Sequence, residues 1–185
     1  MPAMRSPEEL LTNELKGIHS AERQLSRAIP RLMKMVSSDR LREMLEQRRE
    51  QGEELIGQIE DVLDEMDAPK VRAKNPAVEG LIEDANLHIE EAEDESLVEP
   101  LLVASVQKIE HYCIAAWGTA ASMGRLLGQD KVVKVMERVL DEGKEFDEQM
   151  TELAESEINP QMLKDGESEE EDEQAGRGKR RKKSR

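Results

Sequence analysis

Apolar residues return along this chain at alternating steps of four and three, the spacing that lines up one face of a long helix. The first such series is Leu11, Leu15, Ile18, position 22, Leu25, Ile29, Leu32 and Val36. It is preceded by Ser6-Pro7-Glu8-Glu9, in which Ser6 can cap, Pro7 takes the first helical position and Glu9 completes a capping box. Pro30 falls inside this helix and is expected to kink it, since it lacks a backbone donor. A second series, Leu41, Leu45, position 48, position 52, Leu55, Ile59, Val62 and Met66, starts near Ser38 and stops before Asp67-Ala68-Pro69. Asn75-Pro76 then opens a short helix that reaches about Glu93.

The third long series is Leu102, Val106, Ile109, Cys113, Ala116, Ala120, Met123 and Leu127, widened by Val103, Ile114, Trp117 and Ala121. Ser96 with Glu99 reads as its capping box, and Gly128 suits the residue just past its end. Asp130 is placed to cap a fourth series, Val132, Met136, Val139, position 143, Phe146, Met150 and Leu153, with Asn159-Pro160 as its stop. Four amphipathic helices of roughly 28 to 33 residues, each about 40 to 50 Å long, can cover one another's stripes only as a bundle. Tight turns join the first to the second and the third to the fourth, whereas a long segment with the short helix joins the second to the third. The pattern therefore predicts an all-α fold, a ferritin-like four-helix bundle with one crossover containing a short extra helix, over residues 1–163.

Composition agrees with helices: of 185 residues only Tyr112, Trp117 and Phe146 are aromatic, and good helix formers dominate. The single cysteine, Cys113, excludes an intrachain disulfide, and the start of the sequence lacks an apolar leader-like run. No apolar run approaches the roughly 18 residues a membrane span needs, so a cytoplasmic protein without membrane contact is expected. Charge is split along the chain. Residues 177–185, RGKRRKKSR, hold seven of the 27 basic residues, and residues 167–173, ESEEEDE, hold six of the 42 acidic ones. Residues 1–166 keep 20 basic against 36 acidic residues, a net charge of −16 that repels phosphate and attracts cations. Nucleic-acid contact, weak and indifferent to sequence, is thus confined to Arg177, Lys179, Arg180, Arg181, Lys182, Lys183 and Arg185, in an acidic-then-basic tail, 164–185, expected to be disordered.

The interruptions of the stripes carry the chemistry. Position 22 is Glu22, and Glu110 stands one residue beyond Ile109, so two carboxylates from different hairpins face or border the interior. A buried carboxylate must be paired, protonated or bound to a cation. Iron or manganese is one way to satisfy the pair, because hard cations take oxygen ligands and di-iron bundles supply a glutamate from each helix. His111, Glu50 and Glu142 are the nearest further ligands, although neither the second nor the fourth helix offers the acid-x-x-His pair of such sites. Arg48, inward on the second helix, is the other way: its guanidinium can hold Glu22 or Glu110 where a metal would sit. His111 reads more readily as a packing residue, His88 as a solvated one and Cys113 as a small hydrophobe. The sequence has no phosphate-binding glycine loop, nucleophile motif or Cys-x-x-Cys, and no catalytic residue is assigned.

HSAERQLSRAIPRLMKMVSSDRL (19–41), VEGLIED (78–84), VQKIEHYCIAAWGTA (106–120) and the LDEG run from Leu140 resemble the YciE/YciF family of bacterial ferritin-like stress proteins over about residues 6–155. The resemblance implies a ferritin-like fold, a homodimer and a role in stress, with Glu22 and Glu110 matching the acids of the family's first and third helices and His111 and Tyr112 its EHY motif. It also marks departures. The family usually carries histidine at the place of Arg48, glutamate at Gln51 and Gly143, and glutamate and tyrosine at Cys113 and Trp117. Two functions follow: a metal-binding ferritin-like protein, or a non-catalytic dimeric structural or interaction protein whose metal site has become an Arg48–carboxylate cluster.

Overall fold

The computed structural model describes residues 4–68 and 74–165, and among these every regular element is helical. The long helices are α1 (Pro7–Leu32), α2 (Asp39–Glu65), α4 (Val98–Leu126) and α5 (Asp130–Leu153), with the shorter α3 (Pro76–Glu90) in the crossover. α1 packs on α2 and α4 on α5, while α1 also meets α4 and α2 meets α5, which closes the four into a bundle. α3 lies against α4 and α1. One core runs its length, from Leu11, Leu15, Leu41 and Leu45 to Leu102, Met136, Met150 and Leu153, all essentially inaccessible.

The stripes are buried as their spacing requires. All eight positions of the first, including Glu22, and all seven of the fourth, including Gly143, are inside. On α4 the inward face is rotated slightly from the expected seam. Trp117 and Ala121 are buried at 2% and 1% exposure, whereas Ala116 and Met123 are only half-buried. Of the residues that widen the α4 series, only Ile114 is still partly accessible.

Several ends differ in detail from the sequence signals. Ser6 accepts from the backbone of Glu9 and Asn75 from Ala77 and Val78, as caps of α1 and α3. α1 passes through Pro30 and tightens into a 3-10 turn, Met33–Met35. Ser96 does not cap α4. Asp94 accepts from the Ser96 backbone N–H instead, a 3-10 turn Glu95–Leu97 precedes the helix, and the Ser96 hydroxyl is buried without a partner. Glu99 turns away to accept from the backbone N–H groups of Ser37 and Ser38, the latter at 2.8 Å, and so ties the start of α4 to the turn that opens α2. Asp130 is the first residue of α5 rather than its cap, and Gln129 in front of it makes no side-chain cap. Asn159-Pro160 does not stop the chain's helical path: a π turn, Ala154–Ile158, resets the register and helix continues over 159–165. Pro160 then falls in the first turn of that last segment, where a missing N–H has no partner to lose. The segment 166–185, with its acidic and basic runs, lies outside the described residues.

Candidate functional site

Mid-bundle, α1, α2 and α4 each turn one charged side chain inward, and the three meet. Glu22 is exposed by 1%, Arg48 by 4% and Glu110 by 2%. Arg48 donates from Nη1 to Glu22 Oε2 at 3.0 Å and from Nη2 to Glu22 Oε1 at 3.1 Å, a two-point fork that fits a carboxylate. Its Nε donates to Glu110 Oε2 at 2.7 Å. Glu22 and Arg48 stand on apolar stripes and Glu110 stands beside one, so the bundle's own packing brings the three together across three helices.

Space for the cluster comes from glycines. A Cβ on Gly52 would stand 2.7 Å from Glu22 Oε2 and 3.2 Å from Arg48 Nη1. A Cβ on Gly143 would collide with the Trp117 ring and stand 2.7 Å from Glu110 Oε1. Trp117 lies with its ring centre 5.3 Å from the Arg48 guanidinium carbon, near enough for a cation–π contact. The sequence marks Gly52 and Gly143 as breaks in apolar stripes, and a glycine inside a helix costs about 1 kcal/mol against alanine, so a close approach was the available signal. The spacing marked Trp117 only as a residue beside the assumed seam, and nothing in it pointed to the contacts with Arg48 and Gly143.

The electrostatics follow from burial. Desolvation works against the guanidinium's charge, but the carboxylates of Glu22 and Glu110 outweigh it and hold the Arg48 pKa well above the ordinary arginine value. Burial pushes the Glu110 carboxyl above the usual range despite the opposing pull of Arg48, and Glu22 and Asp147 add to the rise. Burial and the Glu22 charge also push the Cys113 thiol well up, so it is protonated and packs as the small hydrophobe its position suggested. One guanidinium against two carboxylates leaves one negative charge. Glu110 Oε1 is the oxygen without a hydrogen-bond partner.

The remaining candidates stand elsewhere. Glu50 is exposed, because two residues beyond Arg48 it points about 200° around α2. His111, about 100° from Glu110, is also exposed rather than packed, with its side chain 66% accessible and Nε2 3.2 Å from Asp147 Oδ2. Asp147 in turn accepts from Gln107. Glu142 borders the cluster, but both its oxygens accept from Arg138 Nη1, at 2.7 and 2.9 Å, and Arg138 Nη2 donates to Gln58 of α2. His19 is buried against Glu60 at 2.9 Å, and His88 sits on the surface near Asp84. Tyr112 holds α3 rather than any ion, its hydroxyl accepting from Asn75 at 2.8 Å while Asn75 also donates to the Gly17 carbonyl.

These residues do not fit a di-iron or di-manganese centre. The interior carboxylates are engaged by Arg48, Glu142 is held by Arg138, and the places of α2 and α5 that face them are Gly52 and Gly143. Among the described residues no group of three or more His, Cys, Asp or Glu side chains could hold a metal ion. No described helix is long and apolar enough to cross a membrane.

Comparison with known proteins places this architecture. Protein YciF of Escherichia coli (strain K12) is 35% identical over 157 residues, 84% of this chain and 95% of that protein. The crystal structure of that stress protein matches with a TM-score of 0.79, covering 84% of this chain and 99% of the other. YcfI, a candidate structural protein from Rhodopseudomonas palustris, matches with a TM-score of 0.77 at 27% identity over 81% of this chain and 96% of its own. A protein from Xanthomonas campestris pv. campestris, 18% identical, shares the fold with a TM-score of 0.71 over 87% of this chain and 99% of its own. Residues 6–163 match the family described as Domain of unknown function (DUF892), and with a relative so similar over nearly its full length, the chain belongs to that family, as a relative of the stress protein YciF.

Proposed function

We propose that this chain is a non-catalytic structural or interaction protein of the YciF stress type, working without a metal centre. The observation that carries the reading is the Arg48 guanidinium, bonded to both Glu22 and Glu110 at the point where a ferritin-like bundle would hold its ions. A cation of fixed charge supplied by the chain engages both carboxylates and leaves a single oxygen, Glu110 Oε1, too few for a redox-active iron centre. The relatives support the same reading in kind: one is a stress protein and another is described as a candidate structural protein.

The competing role, storage or detoxification of iron or manganese, would require Arg48 to leave the cluster. Metal content therefore separates the two. After anaerobic loading with ferrous iron, and separately with manganese, followed by desalting, plasma mass spectrometry should find far less than one ion per chain. Stoichiometric metal would overturn the reading. The homodimer implied by the family resemblance belongs to this proposal as the form that presents a partner surface, and light scattering at tens of micromolar should return twice the 21.0 kDa chain mass.

A further inference from the structure

Packing around the cluster leaves one small gap. Arg48, Gln51, Glu110, Trp117, Glu142 and Gly143 line a cavity of about 10 Å³, the room of one water molecule, with Leu55 and Val139 completing its wall. Gln51 and Glu142 are only half-buried and form its outer lip. Inside, Glu110 Oε1 is inaccessible and accepts no hydrogen bond, and it faces the space that a side chain at position 143 would fill. Trp117, on the same wall, turns the benzene edge of its ring toward Gly143.

A buried carboxylate oxygen that keeps its charge needs a donor, and the protein supplies none to this one. We infer that the cavity is a binding site for a single internal water, which donates to Glu110 Oε1, and that Gly143 keeps the site open. A hard cation is the poorer occupant. It requires about six oxygen ligands, whereas Glu110 Oε1 is the one unengaged carboxylate oxygen here, both oxygens of Glu142 being held by Arg138 and the Arg48 charge standing alongside. Water needs two to four partners, and Gln51 and Glu142, which line the same space, carry further polar groups. Behind a lip of two half-buried side chains, the bound water exchanges with solvent and is held longer than a surface water.

The inference rests on the metal-free reading, because an ion would claim the same oxygen, and the test keeps the two apart. In a high-resolution crystal structure of the full chain, one water should lie within hydrogen-bond distance of Glu110 Oε1. A dry cavity would overturn the inference and leave the metal-free reading standing; an anomalous metal peak there would overturn both. In solution, oxygen-17 relaxation dispersion should count one long-lived internal water fewer in Gly143→Ala, whose methyl would stand against Glu110 Oε1 and push the Trp117 ring into the site. Should that variant not fold, Val139→Leu fills the cavity from its other wall and should lose the same water. An unchanged count in a folded variant would sink the assignment.

Discussion

Arg48 decides the character of the bundle's centre because a charge inside a fold is tolerable only with its partners. Removing it strands two carboxylates, so Arg48→Ala should lower the unfolding free energy by about 3–5 kcal/mol in urea titrations. Replacing all three members at once, as in Glu22→Leu with Arg48→Met and Glu110→Leu, removes the desolvation cost together with the attraction and should be far milder, neutral within about 2 kcal/mol. If single and triple variants lose the same stability, the cluster is not acting as a unit. Glu110 adds a pH dependence of definite sign. Its folded pKa is raised above the ordinary value of 4.5, chiefly by burial, so the native state binds more protons than the unfolded one just above that pH. Stability contributed at this site is therefore greatest at low pH and falls as pH rises from about 4.5 through the raised value. Glu110→Gln cannot titrate, so its stability relative to the parent should climb across the same window; a flat difference would contradict the shift.

Helix ends show which local signals survive tertiary contact. α4 closes with Leu127 and then Gly128 at φ +66°, the left-handed residue its sequence called for, and the Gln129 N–H reaches the Gly124 carbonyl at 2.9 Å. α2 ends in the same geometry without a glycine. Asp67 takes φ +51°, and the Ala68 N–H reaches the Leu63 carbonyl at 2.9 Å. Aspartate tolerates this region better than most residues but not freely, so Asp67→Gly should raise thermal stability by the equivalent of up to about 1 kcal/mol. Asn75 is more exacting. Its oxygen caps α3 while its amide donates to the Gly17 carbonyl and the Tyr112 hydroxyl, which pins the crossover to α1 and α4. Asn75→Ala should cost about 2 kcal/mol or more and raise hydrogen exchange selectively in α3, since both a cap and buried donors are lost. Uniform exchange along the bundle would show that α3 does not depend on this residue.

For the whole molecule, charge is the property with the widest reach. A body of −16 opposes nucleic acid, and the seven cations of 177–185 are the sole concentrated positive charge in the sequence. Deleting residues 174–185 should abolish retention on heparin or DNA at low salt while leaving helicity and assembly state unchanged. Retention by the truncated chain would place the contact on the bundle instead.

Sequence alone determined the helices, their pairing into two hairpins with one crossover, and the inward positions of three of the four long helices. These follow from period, caps and connection lengths, which are local or additive along the chain. It also brought Glu22, Arg48 and Glu110 into view as charges on or beside apolar stripes, since such positions are disfavoured one residue at a time. What only the tertiary structure decided is how those positions meet. Spacing could not tell that Trp117 rather than Ala116 turns inward, because one step is about 100° of helix and the exact rotation of α4 is set by the helices it packs against. Nor could it show that Arg48 bonds both acids at once, that Gly52 and Gly143 make the room, or that Glu99 serves α2 instead of its own helix. Each of these is a distance between elements, fixed to tenths of an ångström by packing that no single segment contains.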